Sequence, residues 1–485
     1  MALAVLFSVF IFLGQSVRLD ESQSLWQTSH GLVSMFQLIG ADVHVPLYHV
    51  LLHFWELFLG NSIPVARLLS LLFFVLSIPA LYLVGQELYG PRVALYATLL
   101  FSLSPFMNWY GNEIRMYSLF TLLAIVNQYC FLRIFREKEG YDRNAWFGYL
   151  VTCILGTYTH YFFSLLILGQ IVFVATHPRF YSRAQIKRFV KTGVIVFVLF
   201  IPWIVTVLSI HNAQNQAPQL PEPTSIDVAN VFTQFLFGFQ GVQVDTIIIA
   251  LWPLSILLGF WALQKHRSIS TETVYLVLSV IVPITVAFVV SVLIRPLFLS
   301  RYLVLALPAT YLLVSWIFSI YPPRMSAVFR VGLVCVMAGM LVIQTVSAHT
   351  PVKEDYLGAT NYITAHGGAD DAVAVTAPFT IYPVVYYYRG PANIQTIPAW
   401  DRTKSGPIPA YSDANLAKQF NDMQTKYHAV WVLFSYDQGY EQKVMLYLDT
   451  HFAVMEQKSF PNGLVLKEYR LRYDVPDRNS NSVRQ

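Results

Sequence analysis

Long apolar segments separated by short polar stretches make up most of the chain as far as residue 348. Several of them run about 17 or more residues with few charges, the length a helix needs to cross roughly 30 Å of hydrocarbon. The pattern therefore predicts a polytopic α-helical membrane protein with about 11 spans. We place the spans near residues 1–17, 65–84, 93–110, 116–135, 146–162, 163–177, 193–210, 246–264, 274–294, 302–321 and 330–348.

The segment Pro46–Gly60 is apolar but short, and it carries His49, His53 and Glu56. A full span here would reverse the orientation of every later loop. We therefore expect it to lie along the outer interface as an amphipathic or re-entrant helix. Residues 1–17 have a second interpretation as a signal peptide, although no basic residue precedes this apolar run and no small-residue cleavage motif ends it.

The pattern changes from Thr350 onward, where no span-length apolar run occurs. Strands are predicted at DAVAVTA, NIQTIP and AVWVLFS, helices at EDYLGATNYITAH, IYPVVYYYRG and DANLAKQFNDMQTKY, and a hairpin at FAVMEQKSF and GLVLKEYRL around PNG. This alternation predicts a small C-terminal α/β soluble domain with parallel central strands. The expected division is a transmembrane domain at 1–349 and an α/β domain at 350–485.

Composition and charge agree with a membrane protein and orient it. The 485 residues are 55% hydrophobic and 12% charged, against roughly 25% charged in soluble domains. With a cytoplasmic N-terminus, 14 basic residues fall in inner loops and five in outer loops, as the positive-inside rule requires. The α/β domain then lies outside the membrane.

Two classes of feature are absent from the sequence. No basic stripe with interleaved aromatic residues occurs, so the net charge of +5 reflects loop bias and no nucleic-acid partner is expected. The three cysteines, Cys130, Cys153 and Cys335, all lie in apolar segments, so no disulfide framework is indicated.

The ionisable and aromatic residues that flank the spans gather in four outer loops. Ionisable groups near a bilayer are costly and mark either function or pairing. The loops contribute Arg18, Asp20, Glu21, Asp42, His44, Tyr48 and His49, then Tyr110, Glu113, Arg115 and Tyr117, then His160 and Tyr161, and finally Arg295, Arg301 and Tyr302. Because all four loops are expected on the outer face of the membrane, their residues predict one site at the outer membrane boundary.

These residue types suit a sugar attached to a phosphate. Carboxylates can act as a general base and bind sugar hydroxyls, and guanidinium groups bind phosphate through paired hydrogen bonds. Aromatic rings offer a sugar an apolar face. No glycine-rich phosphate loop of the G-x-x-x-x-G-K-[ST] type occurs, so direct use of cytosolic nucleotides is unsupported.

Each residue type also has a structural interpretation. Asp20 and Glu21 could be interfacial charges paired with Arg18, and Arg295 and Arg301 could anchor helix ends. His49 and His53, four residues apart, could bind a metal or simply pack. His44 beside Asp42 leaves the same choice open.

Several short motifs, taken in order, resemble the membrane-embedded GT-C glycosyltransferases, and in particular the group of protein O-mannosyltransferases and lipid A aminoarabinose transferases. The motifs are the acidic pair at 20–21, DVHVPLY at 42–48, RLLS at 67–70, the SPF, WY and E-x-R-M-Y-S elements at 104–118, and RYLVLALP at 301–308. The resemblance covers roughly residues 15–310.

The resemblance implies inverting transfer of a sugar from a polyprenyl-phosphate donor to a lipid, glycan or protein acceptor at the outer face. The resemblance also implies roles for single residues: Asp20 is the general base, and Glu21 orients the acceptor or binds donor hydroxyls. The donor phosphate is bound by Arg301 with Arg115 or Arg295. The sugar and acceptor pocket comprises Asp42, His44, Tyr48, Tyr110, Glu113, Tyr117, His160, Tyr161 and Tyr302.

Some features depart from the family pattern. The family segment usually reads D-H-P-P-L, whereas Val43 separates Asp42 from His44 here and Val45 replaces the first proline. The acidic residue that some lipid A-modifying members carry in the equivalent segment has no clean counterpart here, so use of a divalent metal stays open. The alternative functions are an oligosaccharyltransferase, ligase or polymerase acting on lipid-linked chains, a lipid-linked sugar transporter or flippase, and a membrane receptor. We expect a multi-pass protein of a bacterial plasma membrane.

Overall fold

The computed structural model describes residues 15–42, 44–136, 142–178, 181–211, 220–239, 241–250, 252–265, 269–347, 354–402 and 408–472. They form two compact units. The first unit contains Gln15 and the described residues from Gln27 to Ser347, and the second contains Ser16–Trp26 and the described residues from Glu354 to Arg472. Most of the predicted span at 1–17 lies outside the described residues.

Within the described residues, six helices of the first unit are long and apolar enough to cross a membrane. They are Ile63–Tyr89, Tyr117–Phe135, Arg183–Ile210, Thr271–Leu293, Ser300–Ile320 and Pro323–Val346. Shorter apolar helices occur at Leu47–Leu59, Pro91–Leu103 and Phe163–Thr176. The protein is thus a multi-pass membrane protein, and the total of 11 spans stays a prediction.

The remaining helices of the first unit are shorter or less apolar. They are Leu32–Gly40, Pro105–Gly111, Arg143–Thr157, Ser225–Phe237, Val242–Ala250 and Trp252–Lys265. Ser225–Phe237 was not predicted, although Thr224 and Asp227 form a capping box at its start, which is a recognisable sequence signal.

The segment predicted as one span at 93–110 consists of two helices that meet at Ser104. Pro105 opens the second helix, and the Ser104 hydroxyl accepts a hydrogen bond from the Met107 amide at 3.1 Å. The Asn108 side-chain amide donates to the Ser102 and Ser104 carbonyls at 3.0 and 2.8 Å. The break therefore costs little, because these side chains satisfy the interrupted backbone.

Two other predicted spans also differ from continuous α-helices. The segment 146–162 is helical only as far as Thr157, and the next helix begins at Phe163. The segment 302–321 starts as a 3₁₀ helix, Ser300–Ala306, and continues as an α-helix, Leu307–Ile320. Pro308 has no amide hydrogen to donate to the carbonyl four residues earlier, which favours this change.

The second unit is built on a five-stranded sheet in the order β2-β1-β3-β5-β4. Its strands are β1 (Ala372–Val375), β2 (Asn393–Thr396), β3 (Ala429–Phe434), β4 (Ala453–Phe460) and β5 (Leu464–Arg470). Strands β2, β1 and β3 are parallel, and β5 is antiparallel to β3 and β4. The predicted strands and the hairpin around PNG are all present.

Helices cover both faces of this sheet. They are Tyr356–His366, Ile381–Tyr387, Asp413–Lys426 and Glu441–His451. Val373 and Val375 join the buried cluster on one face, and Ala372 and Ala374 join the cluster on the other. This two-sided burial explains the uninterrupted apolar run of β1.

The segment Ser16–Trp26 packs with the second unit, an association that a linear division at 349/350 does not include. It contains the start of a helix, Leu19–Thr28, whose first turn carries Asp20 and Glu21. Leu19 and Trp26 pack against the cluster of Tyr356, Tyr382 and Trp431 on one face of the sheet.

Candidate functional site

Four segments of the first unit meet around His44, Arg115, His160 and Tyr302. Arg115 Nη2 lies 2.6 Å from His44 Nε2, and the Tyr161 hydroxyl donates to the His44 carbonyl at 3.4 Å. The His160 ring lies 5.1 Å from the Tyr302 ring. Residues that the sequence assigned to four separate loops are therefore neighbours in the fold.

The contact between Arg115 and His44 fixes the tautomer of the His44 imidazole. A guanidinium nitrogen can only donate, so His44 Nε2 must accept and its proton must lie on Nδ1. Asp42 Oδ2 lies 3.7 Å from the same nitrogen, beyond hydrogen-bond distance, and accepts instead from the Gln27 side-chain amide at 3.1 Å.

Two buried hydroxyl groups hold the backbone of Arg115. The Tyr48 and Ser70 side-chain oxygens are 2.7 Å apart, and Ser70 donates to the Arg115 carbonyl at 3.3 Å. Because Ser70 uses its proton on the carbonyl, Tyr48 donates to Ser70. Tyr48 is fully buried, and its hydroxyl supports the Arg115 backbone through Ser70.

His160 lies in the turn between the helices Arg143–Thr157 and Phe163–Thr176. Its Nδ1 accepts from the Phe162 amide at 3.1 Å, which leaves the proton on Nε2. The ring stacks on Phe120 with centroids 4.9 Å apart and planes at 21°. Burial, followed by the effects of His44, Arg115 and Arg301, lowers the pKa of His160 to about 3.

Two arginines lie near the aromatic rings that surround His160. Arg301 lies over the Tyr302 ring, with 5.6 Å to the centroid, and that ring is 5.1 Å from the ring of His160. Arg115 lies two residues before Tyr117, whose ring is 6.4 Å from that of His160. Two guanidinium groups and an imidazole donor thus belong to one region of the fold.

Arg295 occupies a different position from Arg115 and Arg301. In the described part of the chain, its side chain makes no hydrogen bond or ion pair. Its backbone amide donates to the Val290 carbonyl at the end of the preceding helix. The structure does not join Arg295 to the cluster.

His49 and His53 lie on the same helix but differ in burial and in hydrogen bonding. His49 is 1% exposed, and neither ring nitrogen has a hydrogen-bond partner among the described residues. Burial, with smaller effects of His44 and Arg115, lowers its pKa to about 3. His53 Nδ1 instead lies 2.8 Å from the Thr28 carbonyl.

No group of three or more His, Cys, Asp or Glu side chains in the described ranges is arranged to hold a metal ion. The nearest approach to such a group is Asp42 with His44 and His49. The His44 nitrogen that faces Asp42 already accepts from Arg115, so it cannot serve as a metal ligand in this arrangement.

Aromatic rings and Glu113 complete the cluster. The Tyr110 and Tyr117 rings are 4.8 Å apart, and Tyr117 lies 6.4 Å from His160. Glu113 is buried in the same turn as Arg115, whose amide donates to the Glu113 carbonyl at 2.7 Å. The Tyr110 and Tyr117 rings thus extend the group of aromatic rings around His160.

Two residues of the region were not among the predicted site residues, although Ser70 ends the RLLS motif. Ser70 lies inside an apolar span, and Trp203 lies inside the helix Arg183–His211. Trp203 Nε1 donates to the Tyr161 hydroxyl at 3.1 Å. A single serine or tryptophan in a long apolar run looks like ordinary packing, so only the fold reveals these contacts.

The acidic pair lies in the second unit. Glu21 is 1% exposed, and its Oε2 accepts from the Arg18 amide at 3.0 Å. Asp20 is more exposed, and its carbonyl accepts from the Ser24 hydroxyl at 3.2 Å. Glu21 therefore caps the first turn of the helix, which leaves Asp20 as the more accessible carboxylate.

The fold of the chain is that of the GT-C membrane glycosyltransferases. It is similar to ArnT from Cupriavidus metallidurans in the apo state, with a TM-score of 0.63, 12% identity, and coverage of 96% of this chain and 97% of ArnT. The ArnT structure bound to undecaprenyl phosphate gives a TM-score of 0.60, 13% identity and the same coverage.

A second relative in structure is the archaeal oligosaccharyltransferase AglB from Archaeoglobus fulgidus, in complex with an inhibitory peptide and a dolichol-phosphate. The TM-score is 0.50, the identity is 11%, and the alignment covers 98% of this chain and 74% of AglB. The TM-scores and the coverage show a shared fold, and identities of 11–13% show nothing beyond it.

The sequence itself gives one family match. Residues 43–205 match the family described as Dolichyl-phosphate-mannose-protein mannosyltransferase, and no curated protein matches the chain. The matched range contains the His44, Arg115 and His160 segments. The resemblance to GT-C glycosyltransferases predicted from the sequence is confirmed.

Proposed function

We propose that this protein transfers a sugar from a polyprenyl-phosphate-linked donor to an acceptor at the outer face of the membrane. The observation that carries the proposal is the cluster in which Arg115 contacts His44 and Tyr302 lies against both His160 and Arg301, in a chain of apolar helices. The match of residues 43–205 to a dolichyl-phosphate-mannose family supports it. So does the likeness to an ArnT structure that binds undecaprenyl phosphate.

Arg115 and Arg301 bind the donor phosphate in this proposal. Two guanidinium groups can neutralise the charge that develops on the phosphate as the sugar leaves. The Nε2 hydrogen of His160 is a third donor whose tautomer is already set by the Phe162 amide. Arg295 is a weaker candidate, because its side chain is not joined to this cluster.

An apolar cavity beside Tyr161 suits the lipid chain of the donor. It has a volume of about 670 Å³ and is lined by Tyr161, Ile167, Ile171, Val190, Phe197 and Phe200 among others. Tyr161 belongs both to this lining and to the contacts of His44. An isoprenoid chain could thus lie in the cavity while its phosphate lies near the arginines.

Asp20 is the proposed general base. It removes the proton from an acceptor hydroxyl, whose oxygen attacks the anomeric carbon as the bond to the phosphate oxygen breaks. One in-line displacement inverts the anomeric centre, and the polyprenyl phosphate leaves. Glu21, which is buried and caps the Arg18 amide, holds the helical turn that carries Asp20. Six of the nine predicted pocket residues, Asp42, His44, Tyr110, Glu113, Tyr117 and Tyr302, contact the sugar.

A second candidate function is transfer of a lipid-linked oligosaccharide. The likeness to AglB supports this candidate, but this chain covers 74% of AglB and 97% of ArnT. The near-complete correspondence in length with ArnT favours the first candidate. The acceptor in either case is a lipid, a glycan or a protein on the outer side of a bacterial plasma membrane.

The test is a transfer assay in membranes with a panel of radiolabelled polyprenyl-phosphate sugars carrying mannose, arabinose, glucose or galactose. We expect one donor to be consumed by wild-type membranes, and nucleotide sugars to be inert when donor-lipid synthesis is blocked. Arg301→Ala should raise the apparent KM for that donor. Turnover of none of the lipid donors, or an unchanged KM in Arg301→Ala, would contradict the proposal.

A further inference from the structure

We propose that the C-terminal α/β unit positions the acidic pair, with Tyr387, Tyr382 and Arg402 fixing the segment Ser16–Trp26 on which Asp20 and Glu21 lie. The inference deepens the proposed function and rests on it where it concerns catalysis. All the contacts that carry it lie within the second unit.

The first attachment lies just before the acidic pair. The Val17 amide donates to the Tyr387 hydroxyl at 2.5 Å, and the Ser16 hydroxyl donates to the Glu354 carbonyl at 3.3 Å. Val17 is fully buried. The backbone is therefore fixed three residues before Asp20 by groups more than 300 positions away in the sequence.

The second attachment lies just after the acidic pair. The Trp26 ring lies 5.1 Å from the Tyr382 ring, and the Arg402 guanidinium lies 5.0 Å from the Trp26 centroid and 5.8 Å from that of Tyr382. A guanidinium within 6 Å of two aromatic ring centroids gains cation–π attraction from both rings. This arrangement fixes the rotation of the helix about its axis.

The helix between the attachments is short and internally braced. It rises about 1.5 Å per residue, so only about 9 Å separates Asp20 from Trp26 along the axis. Glu21 Oε2 caps the Arg18 amide at 3.0 Å, and the Ser22 hydroxyl donates to the Leu19 carbonyl at 2.7 Å. A displacement at either attachment is therefore transmitted to Asp20.

Position matters more than affinity for a general base. A misplacement of about 1 Å can cost a reaction on the order of 100-fold even when binding is intact. Tyr387, Tyr382 and Arg402 are thus positioning residues, which act through the backbone of Ser16–Trp26. Their loss should lower kcat and leave the KM for the donor almost unchanged.

The experiment compares Tyr387→Phe with wild type in the full-length protein. Hydrogen–deuterium exchange should become faster in residues 17–26, and kcat should fall about tenfold while the donor KM changes by less than about twofold. The matched control is Tyr447→Phe, a tyrosine that packs against the opposite face of the sheet. It should alter neither exchange in 17–26 nor kcat.

Arg402 provides a second, graded series in case Tyr387→Phe does not fold. Arg402→Lys keeps the charge but loses the planar group, so its exchange rate and kcat should fall between those of wild type and Arg402→Ala. Unchanged exchange in residues 17–26 in every variant would overturn the inference. So would faster exchange in those residues with an unchanged kcat.

The two proposals fail in different ways. If wild type turns over no lipid donor but exchange in residues 17–26 increases in the variants, the proposed function fails and the attachment of the segment stands. If wild type is active and neither exchange nor kcat responds, the attachment fails and the proposed function stands.

Discussion

His44 and His160 differ in which ring nitrogen carries the proton, and this difference defines what each can bind. Arg115 donates to His44 Nε2, so His44 is an acceptor at that atom. Phe162 donates to His160 Nδ1, so His160 is a donor at Nε2. An anion beside Arg115 and Arg301 would therefore find a hydrogen-bond donor in His160, and His44 keeps Arg115 in place.

Buried histidines also make stability depend on pH. His49 and His160 have pKa values of about 3 in the fold, against an ordinary 6.5. Above about pH 6.5 both imidazoles are neutral in the folded and the unfolded chain, so neither lowers the free energy of unfolding. As the pH falls, only the unfolded chain gains protons, and each histidine then lowers the free energy of unfolding by about 2 kcal/mol at about pH 5.

We therefore predict that His49→Gln reduces the loss of stability between about pH 7 and pH 5 by roughly 2 kcal/mol. Unfolding of the purified protein in detergent at several pH values measures it. His428→Gln changes an exposed histidine and is the control. An identical pH dependence in wild type and His49→Gln would show that His49 is not held neutral by the fold.

At the scale of secondary structure, the turn between the helices Arg143–Thr157 and Phe163–Thr176 decides where His160 lies. The turn depends on close approach of the two helices at Gly156. A Cβ atom added there would lie 2.3 Å from the Phe163 ring, which is too close for any side chain. The small residue is thus needed for the geometry that presents His160.

We predict that Gly156→Ala destabilises the protein by about 1–3 kcal/mol and lowers sugar transfer, because Phe163 and the turn must move. Thermal unfolding and the transfer assay measure the two effects. Gly332→Ala is the matched control, since a Cβ atom there has no neighbour within 4 Å. Equal stability of both variants would contradict the role assigned to the turn.

Periodicity predicted the elements better than the breaks between them. The strands of the α/β unit and the long apolar helices follow from runs of apolar positions that are visible in the sequence. The break at Ser104 depends on side-chain capping by Ser104 and Asn108, which an apolar run conceals. The helix Glu441–His451 was missed because only Val444 and Leu448 are buried in it, too few to show a period.

The same distinction applies to the site. Polar residues at the ends of apolar runs predicted His44, Arg115, His160 and Arg301 as candidates, since charge near a membrane needs a reason. The supporting Ser70 and Trp203 lie inside such runs, and neither was predicted as a site residue, although Ser70 ends the RLLS motif. Packing of Ser16–Trp26 with a sheet that begins at Ala372 is a long-range contact, which no local pattern encodes.

At the scale of the whole molecule, the distribution of basic residues predicts how the protein is oriented in the membrane. The inner loops hold most of the basic residues of the membrane part, so the α/β unit is expected outside. A donor site at the outer face also requires this orientation. The reverse orientation would place the acidic pair in the cytoplasm.

We predict that a cysteine at Lys443 reacts with a membrane-impermeant maleimide in intact cells, whereas one at Lys187 reacts only after permeabilisation. Both positions are exposed. Cys335, the exposed native cysteine, is replaced by serine in both variants to remove background. Labelling of Lys187→Cys in intact cells would show that the orientation is the reverse of the one predicted.

The most direct test of the whole account is the rate of transfer from the active polyprenyl-phosphate sugar by Asp20→Asn. Asn keeps the size of the side chain but cannot accept the acceptor's proton, so we expect a loss of about 100-fold or more with a nearly unchanged donor KM. Asp422→Asn, which changes an exposed carboxylate of the second unit, should retain full activity. A rate close to wild type in Asp20→Asn would contradict the proposed chemistry.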